Sequence, residues 1–274
     1  MGLNKENYPN AGQKKDFLWI QICELPYFRA LLRAVEAKFY QDLLIEGPVL
    51  DLGCGDGHFA SRTFDFKIEV GVDPWAGPLQ EAAQSGAYLQ TIRCEGAEIP
   101  YPDRSFQTIL SNSVLEHIPD VDAVVAEAAR VIRPGGNFIF CVPNHQFLGN
   151  LSVSNFFDRI GLHFAADWYR AFFNKISRHY HCDDPDTWRQ RLERNGFEIV
   201  RWWHYFSPGA FHTLEWGHYF GLPAWICHFL SGKWIWFPYR WNLWPVERLC
   251  RKYYDENAEQ PAGSYTFYIV RKNG

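Results

Sequence analysis

A chain of 274 residues with 47% hydrophobic and 21% charged side chains has the composition of a folded globular protein, which excludes wholesale disorder. Its formal net charge of -4 removes any general electrostatic reason to bind nucleic acid, because neutralising phosphates requires a basic face. Aromatic residues at 18%, including 12 Trp, are the departure from ordinary composition.

Seven Cys are scattered at 23, 54, 94, 141, 182, 227 and 250 with no CxxC pair, a pattern that fits a reducing compartment. The polar amino terminus, MGLNKENYPNAG, has no apolar run before a small-residue cleavage site, so no secretory signal is expected. Leu222 to Phe237 is the longest apolar stretch. Pro223, His228 and Lys233 interrupt it, and it falls short of the roughly 20 residues that span a bilayer. The expected location is cytoplasmic, with peripheral membrane contact left open.

Residues 14 to 44 are predicted to be helical, since Phe17, Ile20, Leu25, Phe28, Leu31, Leu32, Val35 and Phe39 recur at three- and four-residue spacing, with Pro26 as a break. From Pro48 short apolar runs alternate with helical ones. Strands are predicted at Val49 to Leu52, Ile68 to Val72, Tyr88 to Arg93, Thr108 to Ser111 and Asn137 to Val142. Helices fall from about Gly57, near Leu79 to Gln84, and at Val121 to Ile132. An irregular stretch follows to about Asp183. Next comes a helix capped by Asp184 or Asp186 and ended by Asn195-Gly196, then strands at Phe197 to Tyr205 and Ser264 to Lys272. The alternation predicts a doubly wound α/β sheet covered on both faces. Residues 1–47 would form a helical cap on one domain, 48–274, with insertions at 144–183 and 206–263.

The strongest local signal is VLDLGCGDGHF, residues 49–59, an apolar strand that ends in Asp51 and enters three glycines before a helix. Gly53, Gly55 and Gly57 allow a sharp turn and the close approach of a nucleoside, and the helix start offers unpaired amides. The spacing GxGxG differs from the dinucleotide fingerprint, which alone discriminates weakly. The second strand ends in Asp73, at the carboxyl edge where a ribose would lie and where a carboxylate could accept from both hydroxyls. Taken by itself, an acid at a strand end could equally cap a turn.

With CEGAEIPYPDRSFQTILSNSVLEHI and RVIRPGGNFIF, the motifs complete a pattern in order, and the chain resembles the class I S-adenosylmethionine-dependent methyltransferases. The resemblance is to the small-molecule group typified by ubiquinone and menaquinone biosynthesis enzymes. It implies a Rossmann-like sheet of seven strands with the last antiparallel, and S-adenosylmethionine as cofactor. It further implies that Asp51, Gly53, Cys54, Gly55 and Gly57 surround the methionine and ribose and that Asp73 holds the ribose. Glu95 and Gly96 stand where relatives often have Asp-Ala at the adenine. Ser111, Asn112 and Ser113 correspond to the stretch beneath the methyl group.

Leu115, Glu116 and His117 begin the next connection, and His117 is a candidate base, although pinning that connection by hydrogen bonds is its blander role. Pro134-Gly135-Gly136 reads as the turn into the fifth strand. Transfer from a sulfonium requires alignment first, and a base only where the acceptor carries a proton to lose. His117, His145, His179 and His181 could overhang the fourth and fifth strand ends, with Asn144 to orient; His145, directly after the fifth strand, is favoured. No Asn/Asp-Pro-Pro-Tyr/Phe segment or Pro-Cys dipeptide points to a nucleobase, so a small-molecule acceptor is expected. HYHCDD, residues 179–184, has ligand chemistry but no second cluster, so no metal is assigned and a loop or helix cap is preferred.

The insertion at 206–263 carries Phe206, Phe211, Trp216, Tyr219, Phe220, Trp225, Trp234, Trp236, Phe237, Tyr239, Trp241 and Trp244. It could form a lid over an apolar substrate, an accessory core, or a membrane-facing surface in which Lys233, Arg240 and Arg248 meet anionic lipid. Two competing functions share parts of this pattern: a nucleotide-dependent oxidoreductase, and a non-catalytic membrane-associated protein that keeps the fold. The oligomeric state is not legible.

Overall fold

The computed structural model describes residues 7–9, 15–220 and 222–274. The polar start of the chain, at 1–6 and 10–14, and the side chain of Trp225 lie outside the described residues. Seven strands form one sheet: β1 (Val49–Leu52), β2 (Ile68–Asp73), β3 (Tyr88–Arg93), β4 (Phe106–Asn112), β5 (Ile132–Pro143), β6 (Phe197–Tyr205) and β7 (Tyr265–Lys272). Their order is β3-β2-β1-β4-β5-β7-β6, parallel except for β7, which runs against β5 and β6. The predicted doubly wound sheet with one antiparallel strand is the observed fold.

Chain order reverses direction at β1, so the carboxyl ends of β1 and β4 border a crevice, the place where such sheets bind ligands. All four residues of β1 and all six of β2 are buried, as near-continuous apolar strands covered on both faces must be. One face is covered by α1 (Phe17–Ile22), α2 (Tyr27–Tyr40), α3 (His58–Thr63), α4 (Ala76–Gln84), α9 (Pro208–Phe220) and α11 (Arg240–Tyr254). The other is covered by α5 (Val121–Val131) and α8 (Pro185–Arg194), whose Val121, Val124, Val125, Ala128, Trp188 and Leu192 pack on Phe138, Phe140 and Tyr268. A short antiparallel ribbon joins Asn7–Pro9 to Leu44–Glu46.

Two local expectations need correction. The stretch read as irregular, 144–183, contains α6 (Ser152–Arg159) and α7 (His163–Ser177). Helix α7 buries Ala166, Tyr169 and Phe173 on one side and exposes Phe164, Trp168 and Phe172 on the other, so the apolar periodicity that marks a helix is blurred. Pro134-Gly135-Gly136 is not a separate turn before β5. It lies within that strand as an irregularity between the pairs Phe106↔Ile132 and Thr108↔Asn137, with Gly135 at φ 76°. Asp184 caps α8 as expected, accepting from the Thr187 amide at 2.7 Å. The insertion at 206–263 comprises α9, α10 (Leu222–Ser231) and α11.

Candidate active site

The glycine loop leaves β1 at its carboxyl end and is tied to β2. The amides of Gly53 and Cys54 both donate to the Val72 carbonyl at 2.9 Å, and the Gly55 amide donates to Asp73 Oδ2 at 3.0 Å. The other oxygen of Asp73 accepts from the Trp75 amide at 2.9 Å. The carboxylate expected to hold a ribose therefore also shapes the loop, with lone pairs remaining on both oxygens. Gly53, Gly55 and Gly57 have φ of 79°, 54° and 74°, which favours residues without Cβ. Their surroundings differ. A Cβ on Gly53 would lie 2.3 Å from Val114 and one on Gly57 2.8 Å from Ser85, whereas one on Gly55 would meet no protein atom within 4 Å. Two of the glycines thus serve internal packing, and the third faces open space.

Below the loop, Asp51 is buried and accepts from the Tyr88 hydroxyl at 2.6 Å. Burial raises its carboxyl to about 6; the Tyr88 hydrogen bond opposes this, and the nearby Asp73 charge adds to it. Cys54 is packed under the loop, and burial pushes its thiol far up, so it offers shape and no thiolate. Glu95 is exposed, and Gly96 sits close to Val124, where an added Cβ would come within 3.3 Å.

The stretch expected beneath the methyl group divides. Ser111 is fully buried and its hydroxyl donates to the Leu52 carbonyl at 3.0 Å, so it pins β4 to β1. Asn112 gives its amide to Glu36 at 2.7 Å. Ser113, at φ 53°, is the member that lines a cavity of about 1010 Å³. The walls come from Phe28, Arg29, Leu32 and Arg33 on α2, Trp75 after β2, Glu116 and His117 after β4, the carboxyl end of α7 through Tyr180, Leu214 and His218 on α9, and Tyr265.

Sequence reasoning overlooked Glu36. It is fully buried and accepts from Arg33 at 2.9 Å, Asn112 at 2.7 Å, Ser113 at 3.1 Å and Tyr205 at 2.9 Å, which locks α2 onto the ends of β4 and β6. An acid among the buried neighbours Leu32, Val35, Phe39 and Tyr40 was the available signal, because such a carboxylate must find donors. Trp75 was overlooked too. It is 71% exposed, stands two residues after Asp73, and presents an indole to the cavity.

Of the candidate bases, His117 lines the cavity, and its Nδ1 lies 3.1 Å from the Arg178 carbonyl. His179 joins it, with ring centroids 5.2 Å apart, and burial lowers its imidazole to about 3, so it is neutral. Glu116 is buried with one carboxyl oxygen unpartnered among the described residues, and desolvation raises it to about 8. The ligand atoms of Glu116, His117 and His179 lie within 4.8 Å of one another, a donor set that could take a divalent cation.

His145, favoured from its place in the chain, is not brought to this cavity. It is exposed, 5.7 Å from the ring of His204, because the chain turns away after β5. Asn144 does not orient a substrate either. It is fully buried, donating to the Gly263 carbonyl at 2.9 Å and accepting from the Gln146 amide at 2.9 Å, which ties β5 to the approach to β7. His181 contacts the Pro119 carbonyl at 3.1 Å.

Comparison with known proteins gives a consistent picture. Residues 25–201 match a family model described as a methyltransferase domain. An uncharacterized methyltransferase of Mycolicibacterium gilvum is 30% identical over 160 residues, covering 56% of this chain and 59% of the relative. A protein of Mycolicibacterium smegmatis named "Probable S-adenosylmethionine-dependent methyltransferase" is 33% identical over 144 residues, covering 52% and 48%. The chain thus spans about half of these curated relatives. Among solved structures, a SAM-dependent methyltransferase from Thermotoga maritima aligns over 94% of this chain and 91% of its own, with TM-score 0.51 and 16% identity. A Haemonchus contortus phosphoethanolamine N-methyltransferase in complex with S-adenosyl-L-methionine aligns over 82% and 48%, with TM-score 0.52 and 17% identity. At such identities the likeness is one of fold.

Proposed function

Because the chain belongs to the methyltransferase-domain family, we propose that it transfers the methyl group of S-adenosylmethionine to a small, largely apolar acceptor held in the cavity between α2, α7 and α9. One arrangement carries this reading. A glycine loop whose middle residue faces open space is fastened to the carboxylate of Asp73, at the switch point of the sheet and beside a roomy cavity. The oxidoreductase alternative is not favoured, since the glycine loop that prompted it belongs to a methyltransferase domain.

The bound cofactor would supply an activated methyl on a sulfonium. The residues of the chain then have four tasks. Asp73 would accept from sugar hydroxyls while its bonds to the Gly55 and Trp75 amides hold its position. Asp51, ionised above about pH 6, would place negative charge near the cationic methionine portion. The walls formed by Phe28, Leu32, Leu214 and Tyr265 exclude water and favour apolar surface. His117, whose Nδ1 donates to the Arg178 carbonyl and leaves the Nε2 lone pair, is the cavity group able to take a proton from an acceptor that has one to lose. Glu116 keeps its own proton below about pH 8, and His179, lowered to about 3, is too weak a base. The similarity of the motifs to the ubiquinone and menaquinone group supports an acceptor of this apolar kind.

Incubating the protein with isotopically labelled S-adenosylmethionine and a fractionated lipid-soluble extract, and identifying labelled species by mass spectrometry, tests the reading. Label in a small apolar product that depends on the protein is expected. Label that never leaves the donor, across polar and apolar fractions alike, would refute it.

A further inference from the structure

A second surface stands apart from the cofactor site. Residues 216–246 contain no Asp or Glu, in a chain whose net charge is -4, yet they contain Lys233 and Arg240. The same segment exposes Phe220, Leu230, Trp236, Phe237 and Trp241, with Trp241 at 74%. Helix α7 carries a comparable outer stripe. Phe164 is 86% exposed, and Trp168 stacks on Phe172 with centroids 5.6 Å apart, on the side opposite the buried Tyr169 and Phe173. The two regions are joined. The Tyr219 hydroxyl donates to Tyr169 at 2.9 Å, the Trp216 indole donates to Ser152 at 3.0 Å at the start of α6, and Phe220 stacks on Trp216.

Apolar side chains this exposed on connected elements require an explanation, since an isolated exposed Trp is ordinary but a continuous field is not. We propose that the outer surface of α7, the carboxyl half of α9, α10 and the start of α11 docks on a bilayer surface that carries anionic headgroups. Two observations select a bilayer over a second copy of the chain. The composition is that of an interface where one end of each ring is apolar and the other wet: Trp and Tyr alongside Phe and Leu, with cations and no carboxylate across 216–246. Lys233, Arg240 and the nearby Arg248 also make no ion pair with a described carboxylate, so their charge is available to lipid phosphate. Arg240 and Arg248 lie over the rings of Trp19 and Trp244, with centroid distances of 4.6 and 5.4 Å, which keeps cation and indole together as an interfacial pair.

No helix among the described residues is long and apolar enough to cross a membrane, so the attachment is to the surface. The cavity is walled by the end of α7 and by His218 of α9, two helices that also carry the exposed face. Docking would therefore bring the bilayer against two helices that also wall the cavity, close to where an apolar acceptor would be held. This last consequence rests on the methyl-transfer reading; the docking itself does not.

The experiment is sedimentation of the full chain with phosphatidylcholine vesicles and with vesicles containing about 30% phosphatidylglycerol, a composition that imposes a negative surface potential. Binding to the anionic vesicles is expected, weakened by salt and weaker to the neutral ones. Lys233→Glu with Arg240→Glu should lower the anionic partition at least about fivefold for each cation lost. The combination of Phe164→Ser, Trp168→Ser, Leu230→Ser and Trp241→Ser should abolish binding to both. Because surface variants can still perturb folding, tryptophan quenching of the wild-type chain by brominated lipid is measured as well, and substantial quenching is expected. Absence of quenching would overturn the proposal. So would vesicle binding that the variants leave unchanged, or a dimer in solution that the four serine changes convert to monomer.

Discussion

Gly55→Ala separates a cofactor cradle from an ordinary tight turn. At this position the added methyl meets no protein atom within 4 Å, so the folded chain bears only the cost of a left-handed alanine at φ 54°, about 1 kcal/mol. For a chain of this size that lowers Tm by roughly 2–4 °C. A nucleoside seated on the loop must instead move away from the methyl or lose the close approach. The affinity for S-adenosylmethionine and for its demethylated product should then fall by at least about tenfold, equivalent to about 1.4 kcal/mol. Isothermal calorimetry reads the affinity and thermal unfolding reads the stability on the same samples. The control is Gly53→Ala, whose methyl would lie 2.3 Å from Val114 and which should lose several times more stability. If Gly55→Ala bound cofactor as tightly as the wild type, the open space above the loop would not be the nucleoside site, and the case built on Asp73 would fall with it.

Further outcomes follow from the buried carboxyls. Asp51 is raised to about 6 by burial, so it is protonated in the folded chain below that pH and ionised above it; calorimetric affinity for the cationic cofactor should rise as pH increases through about 6. Tyr88→Phe removes the hydrogen bond that favours the ionised form and should move that midpoint upward, whereas an unshifted midpoint would show that Asp51 does not govern binding. Glu116, raised to about 8, binds more protons folded than unfolded between about 4.5 and 8, so its contribution to stability is fully present below that window and is lost as pH rises. Urea unfolding should accordingly show Glu116→Gln close to wild type at low pH and more stable than it above pH 8; the opposite trend would contradict the burial argument. Glu36→Ala leaves the donors of Arg33, Asn112, Ser113 and Tyr205 without their shared acceptor and should cost about 3–5 kcal/mol in urea unfolding, with Glu36→Gln recovering part of it. Glu215 is fully buried and accepts from the Ser152 and Val153 amides and the Tyr169 hydroxyl, so Glu215→Ala should expose α6 and α7 to proteolysis ahead of the sheet.

What could be read from the chain directly was everything set by neighbours in sequence. The strand Val49–Leu52 lies where its apolar run placed it, because a strand buried on both faces needs an unbroken apolar segment. The partly exposed edge strands Tyr88–Arg93 and Phe197–Tyr205 lie where their β-branched and aromatic residues placed them. The glycine loop, Asp51 and Asp73 were equally legible, since the need for positive φ and an acid at a strand end are local properties. The roles of Glu36 and Glu215 were decided only by tertiary structure: each is one acid in a helix until folding brings donors from distant elements around it. The histidines make the same point. His145 has the better position along the chain, but the path after β5 carries it to His204. His117 and His179, separated by 62 positions, meet across the cavity. Spacing along a polymer fixes backbone geometry within an element, while proximity between elements depends on how their buried faces pack, and that is where the chemistry of this cavity is assembled.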